Sequence, residues 1–308
     1  MPPKILFVNV NPSQCGVYEF GTRYSNAINR YGTFNYKCFN TNDTKAVNTV
    51  VKSYNPDMII VNVHPILEPI ILDNEIKATN IPIIGMCHDT LDSRYHSILW
   101  PDPISVDYDN IYNIGRLIPE YSLENLELQG IPIIGTAGLA YGRKLLSNII
   151  EIVNTQFEIA ELRIHMPSAN YAYAGEDWVP NILKEWDNKL KPGISIKVST
   201  DYLSEKGLVQ FLNNNDINIF LYDTNDNAST GISSIIDLAL AARKPIAING
   251  SNMFRHLLQI EPSINVDQRD LHEIIKDGVT PLLPFFEEWK EKNAINKLEV
   301  VITTILGD

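Results

Sequence analysis

The feature that most constrains this chain is a repeated pattern. Short, wholly apolar runs stop at polar, glycine-bearing loops and are followed by helical stretches. The plainest case is Ile131-Pro-Ile-Ile-Gly-Thr-Ala-Gly-Leu-Ala-Tyr-Gly-Arg-Lys144. So short a run without polar alternation reads as a strand covered on both faces, as in a parallel sheet between helix layers. The loop after it opens into a helix predicted to be headed by Arg143 and Lys144. The start of a helix leaves backbone N–H groups unpaired, which suits an anion. The two cations would add charge-assisted hydrogen bonds to phosphate oxygens.

The same alternation fills the chain. Strands are predicted at Lys4–Val10, Phe34–Phe39, Pro56–Val63 and Ile81–Gly85, with helices up to about Arg30 and over Thr44–Ser53. The last strands of the first layer are placed within residues 92–130, which include a short Ile104–Tyr108 run, with a hinge near Glu124–Gly130. Further on, strands at Glu158–His165, Gly193–Ser199, Ile217–Tyr222 and Lys244–Asn249 alternate with helices at Lys144–Val153, Trp178–Leu190, Ser204–Leu212 and from just after Ser234 through Arg243. Ser251–Leu258 reads as helical, Ser263–Val266 and Asp270–Lys276 as one more strand and helix, and Pro281–Leu306 as a long helix. This order predicts an α/β protein of two Rossmann-like, doubly wound domains. The expected division is 1–128, 129–283, and a C-terminal helix at 284–308 packing across the domain junction. An anion held at residues 131–144 would then lie in an interdomain cleft.

Charge and composition remove several functions. The formal net charge is -12, and both halves carry more acidic than basic residues, so no basic face is available for nucleic acid. A local pocket on such a protein can still attract a small anion. No apolar run reaches membrane-spanning length. The N-terminus runs straight into a strand, and three widely spaced cysteines (Cys15, Cys38, Cys87) fit reduced thiols, so a cytoplasmic location is expected.

Candidate site residues follow from position. Residues just past the carboxyl ends of parallel strands face the ligand crevice. His88 and Asp89 have that placement, and a histidine beside a carboxylate can donate to and accept from a sugar hydroxyl. Gly16 follows the first strand, where a glycine lets backbone approach a ligand closely. The stretch from Asp223 through Gly231, Ser233 and Ser234 precedes a helix and again offers donors to an anion or to hydroxyls. Asp237 lies in the first turn of that helix, where the helix dipole favours a carboxylate. No residues show metal-ligand spacing, and the Gly-x-Gly-x-x-Gly dinucleotide pattern is absent.

These motifs together resemble GT-B glycosyltransferases, and residues 131–260 resemble the retaining, family-4-like group. Lys144 falls where that family's lysine holds the donor diphosphate, and Arg143 stands in for its neighbouring arginine. Ser233-Ser-Ile-Ile-Asp-Leu-Ala-Leu-Ala-Ala-Arg-Lys-Pro245 is similar to its helix ending in Ala-x-Gly-x-Pro. His88-Asp89 resembles its His-Asp near the transferred sugar, and Gly16 falls in its loop over the diphosphate. Leu145 replaces a family glycine, and the paired glutamates seven residues apart are missing; Asp237 is one residue off the second. The resemblance implies transfer of a sugar from a nucleotide-diphosphate-sugar co-substrate to a glycan or other hydroxyl acceptor, with retention and without a cofactor or metal. Two rivals are a nucleotide-sugar epimerase of the same fold and a degenerate glycan-binding scaffold subunit.

Overall fold

The computed structural model describes residues 1–9, 15–41, 43–62, 80–88, 95–124, 130–140, 144–167, 177–224 and 231–307. The chain divides into two compact units: 1–119 with 230–232 and 287–308, and 120–229 with 233–286.

The first unit is built on a six-stranded sheet of β1 (Lys4–Asn9), β2 (Asn35–Asn40), β3 (Met58–Asn62), β4 (Ile83–Met86), β5 (Ser97–Trp100) and β6 (Ile111–Asn113). The strand order is β2-β1-β3-β4-β5-β6, and every described pairing is parallel. β1 shows why its run is apolar throughout. Ile5 and Phe7 point to one face, against Phe20, Tyr24, Ala27 and Ile28 of α1 (Gly16–Tyr31). Leu6 and Val8 point to the other, against Val47 and Val51 of α2 (Thr44–Tyr54). Alternate residues are thus buried by different helices, as a strand period of two requires. The run Ile104–Tyr108 does not form a strand. The Asp102 carboxylate accepts the Ile104 N–H and the Asp102 carbonyl accepts the Ser105 hydroxyl, and this turn leaves Ile104, Val106 and Tyr108 exposed. The strand forms later, at Ile111–Asn113.

The second unit carries a five-stranded sheet of β7 (Ile133–Ala137), β8 (Ala160–His165), β9 (Ile194–Ser199), β10 (Ile217–Phe220) and β11 (Ile246–Ile248), in the order β11-β10-β7-β8-β9, also parallel. Its helices are α3 (Leu146–Gln156), α4 (Trp178–Trp186), α5 (Glu205–Asn213), α6 (Ile235–Ala241) and α7 (Leu271–Asp277), followed by α8 (Leu283–Glu288). α5 starts where Ser204 accepts the Gly207 N–H at 3.2 Å; α7 starts with a capping box of Asp270 and Glu273. Ser263–Val266 contributes one bridge, between Ile248 and Asn265, instead of a full strand.

The tail is not one helix. Ile118 donates its N–H to the Trp289 carbonyl at 2.8 Å and bridges Lys290, and this extended contact separates α8 from α9 (Glu291–Gly307). α9 belongs to the first unit, where Ala294, Ile295, Leu298, Val301 and Ile302 complete the α1 face of the core. Two carboxylates fasten it to the end of α1. Buried Glu291 pairs with Arg30, and Glu299 accepts the Thr33 and Phe34 N–H groups and the Thr33 hydroxyl.

Candidate functional site

In each sheet the winding direction reverses at one place, β1/β3 in the first unit and β7/β10 in the second. In open α/β sheets the ligand crevice opens beyond the strand ends at such a reversal. Polar chemistry collects at both.

In the second unit it collects around Lys144. The expected helix start is shifted: α3 begins at Leu146, and Lys144 lies two residues before it. Lys144 is held extended by an antiparallel bridge to Tyr222, beyond the end of β10, and the Leu145 N–H is spent on the Leu221 carbonyl at 3.1 Å. This contact blocks the helix from starting earlier. The Lys144 side chain turns inward, 8% exposed. Its ammonium donates to the Ala137 carbonyl at the end of β7, 3.1 Å away, and lies 6.0 Å from the centroid of the Tyr222 ring. Ala137 is its one hydrogen-bond acceptor among the described residues. An ammonium has three donors, so among the described residues the group is under-satisfied for its depth. Burial brings its pKa down from 10.5 to about 7, since desolvation disfavours the charged form. The glycine that makes room is Gly138, at φ +122, where a Cβ would collide with the Lys144 Nζ.

Sequence reasoning missed the neighbours of this lysine. His165, at the end of β8, is 1% exposed, and its Nδ1 is 2.8 Å from the Ser199 hydroxyl at the end of β9. Burial lowers its pKa; Asp201 opposes that and the Lys144 charge adds to it. Asn249 fixes Tyr222 by accepting its N–H and donating to its carbonyl at 2.7 Å. Both residues end strands beside the reversal, the signal that could have found them.

The described residues of the 223–237 segment do not form a row of free donors. The Ser233 N–H goes to the Met253 carbonyl and its hydroxyl lies 3.3 Å from the Tyr222 hydroxyl, so Ser233 supports the Tyr222 wall. Ser234 precedes α6 but makes no side-chain cap. Asp237 is fully buried within that helix. The Asp223 carbonyl accepts the Ser251 hydroxyl. Gly231 falls in the short stretch grouped with the first unit. Arg143 and Asp89 lie outside the described residues.

In the first unit the reversal holds neutral polar groups. Asn9 and Asn62 end β1 and β3 side by side. Asn62 Nδ2 donates to Asn9 Oδ1 at 2.9 Å and to the Val17 carbonyl at 2.8 Å. Asn9 Nδ2 donates to the Tyr18 carbonyl and the Thr22 hydroxyl. His88 completes the chain, its Nε2 2.8 Å from Asn62 Oδ1 and its ring edge-on to Phe20 at 4.8 Å. Gly16 is the first residue of α1 and not part of the loop before it. The glycine that matters for packing is Gly21, where a Cβ would strike both asparagine side chains.

The sequence matches no protein-family model and no curated protein. Solved structures do match over nearly the whole chain. The lipopolysaccharide outer core galactosyltransferase WaaB, in apo form, aligns with 98% of this chain and 99% of its own at TM-score 0.63 and 12% identity. HepE of Anabaena, solved with UDP and glucose, aligns over 98% and 100% at 0.65 and 10%. Apo OtsA aligns over 99% and 99% at 0.69 and 8%. This chain has the GT-B fold. In the GT-B arrangement of two Rossmann-like units, Lys144 occupies the reversal of the second and His88 that of the first. Among the described residues no helix is long and apolar enough to cross a membrane.

Proposed function

We propose that the protein transfers a sugar from a nucleoside-diphosphate sugar to a hydroxyl acceptor, with retention at the anomeric carbon and without a metal. The observation that carries this reading is the Lys144 ammonium, buried at the β7/β10 reversal with a single hydrogen-bond acceptor among the described residues. In the reaction the bond from the anomeric carbon to the phosphate oxygen breaks and its electron pair leaves with the diphosphate. The acceptor oxygen bonds to that carbon and passes its proton to an oxygen of the departing diphosphate. A charge developing on a leaving group is stabilised most by donors already fixed in a desolvated site. Lys144 has that character, and the N–H groups at the start of α3 add to it. Arg143 joins as the second cation, and His88 with Asp89 orients the sugar hydroxyls. Ser233 and Asp237 serve the donor indirectly, through Tyr222 and α6, and Asp223, Gly231 and Ser234 belong to the donor side. WaaB is a galactosyltransferase and HepE was solved with UDP and glucose, and both support the choice of donor class.

The test is calorimetric titration with UDP and other nucleoside diphosphates, followed by incubation with nucleotide sugars and hydroxyl acceptors. We expect one diphosphate to bind, and Lys144→Met to weaken it on the order of 10–100-fold, the loss of a hydrogen bond to a charged group. Equal affinity in Lys144→Met overturns the site. Interconversion of the sugar without transfer identifies an epimerase, and no binding of any donor identifies a scaffold.

A further inference from the structure

The direction of the hydrogen bonds around Asn62 carries more than its position does. An asparagine amide has one donating and one accepting end, and the two are told apart by their partners. Asn62 Nδ2 faces two acceptors, Asn9 Oδ1 and the Val17 carbonyl. The Val17 carbonyl is backbone and only accepts, so the nitrogen of Asn62 must lie on that side. Asn9 is fixed in the same way, because its Nδ2 faces the Tyr18 carbonyl. Its oxygen is therefore the end turned to Asn62. Both amides are locked in series by carbonyls of the first turns of α1.

The oxygen of Asn62 is then the end turned to His88 Nε2, 2.8 Å away. An amide oxygen only accepts, so Nε2 must carry the hydrogen. In a neutral imidazole that leaves Nδ1 as the accepting nitrogen. We infer that Asn62, held by Asn9, is a positioning residue that fixes His88 as the Nε2–H tautomer, with Nδ1 as the accepting nitrogen of the ring. Gly21 is part of the device, since a Cβ there would meet both asparagine side chains. The tautomer follows from these hydrogen bonds. Its bearing on transfer rests on the transferase reading.

The experiment separates the two. Long-range ring nitrogen–proton correlation spectra of the full chain, without any nucleotide, report the tautomer directly, and His88→Gln assigns the His88 signals by their disappearance. At a pH where the ring is neutral we expect a single Nε2–H form. A Nδ1–H form, or a mixture, overturns the inference whatever the protein's activity. Asn62→Leu removes the acceptor and should give a mixture of tautomers; a persistent single Nε2–H form there shows that another group selects it. Should Asn62→Leu not fold, Asn62→Ala removes the same amide oxygen and answers the same question. Once transfer is measured, Asn62→Leu should lower kcat on the order of 10²-fold, the effect of a misplaced catalytic group, with the donor KM within about twofold because ground-state binding is retained.

Discussion

The two sheet reversals solve opposite problems with similar geometry. Each brings side chains together beyond two strands that are neighbours in space but not in sequence, and each needs a glycine with no room for a Cβ, Gly21 in one and Gly138 in the other. At β1/β3 the groups are amides and an imidazole, with their donors and acceptors matched in series. At β7/β10 the central group is an ammonium with one described acceptor. A matched neutral network holds its parts in one orientation at little cost. An under-satisfied buried cation does cost stability, and under the transferase reading an arriving anion would recover that cost. The first reversal is suited to orienting hydroxyls and the second to binding charge.

The largest expected effect comes from removing the cation. Lys144→Met should stabilise the unliganded protein at pH 7, while weakening diphosphate binding on the order of 10–100-fold. A pKa lowered from 10.5 to about 7 corresponds to about 1.4 kcal/mol per unit; less the lost bond to Ala137, the net gain is on the order of 3 kcal/mol. The sign in pH follows from linkage. Between about pH 7 and 10.5 the unfolded lysine holds a proton that the folded one has released, so stability rises with pH across that window. The burial penalty is complete below it and gone above it. Urea denaturation at several pH values should therefore show the advantage of Lys144→Met shrinking as pH rises. In the unmodified protein, a diphosphate bound near about pH 8 should take up close to one proton. Calorimetry in buffers of different ionisation enthalpy reads that uptake, and its absence means that no anion meets this ammonium.

Gly21→Ala tests the other side, with a smaller effect. In an ordinary helix interior this change stabilises by roughly 0.5–1 kcal/mol. Here the added methyl meets the Asn9 and Asn62 side chains, so the sign should reverse, to a loss of about 1–3 kcal/mol from overpacking. Denaturant midpoints decide it, and a stabilised Gly21→Ala means that the asparagine pair is not packed against α1.

What could be read in the sequence, and what could not, divides along the same lines. The central strands were legible because burial on both faces leaves an apolar run, as in Ile5–Val8 and Ile59–Val61. The start of α5 was legible because a serine cap is a local signal. Lys144 stands out in the sequence, but the sequence places its helix start too early, because the bridge that holds it extended comes from Tyr222, far along the chain. Asn9 and Asn62 went unnoticed for the same reason. An asparagine at the end of a strand looks like a turn residue until β1 and β3 are known to be neighbours. Gly21 lies inside a helix with nothing in its surroundings to mark it, and Gly16, which looked more exceptional, is an exposed helix start.

The smallest effect supplies the control for the comparison. Ser204→Ala removes the cap of α5, whose hydroxyl accepts the Gly207 N–H, and should cost about 1 kcal/mol. This change weakens the same unit that carries Lys144 but touches none of the groups around it. Diphosphate affinity should therefore stay within about twofold of the unmodified protein at temperatures well below the unfolding transition, since a small loss of global stability leaves the folded fraction nearly unchanged. Paired with Lys144→Met, the two variants move stability and binding in uncorrelated ways: one is less stable and binds normally, the other is more stable and binds weakly. If Ser204→Ala weakens binding as much as Lys144→Met does, affinity follows the integrity of the unit and not the cation at its strand ends, and the contrast drawn between the two reversals fails with it.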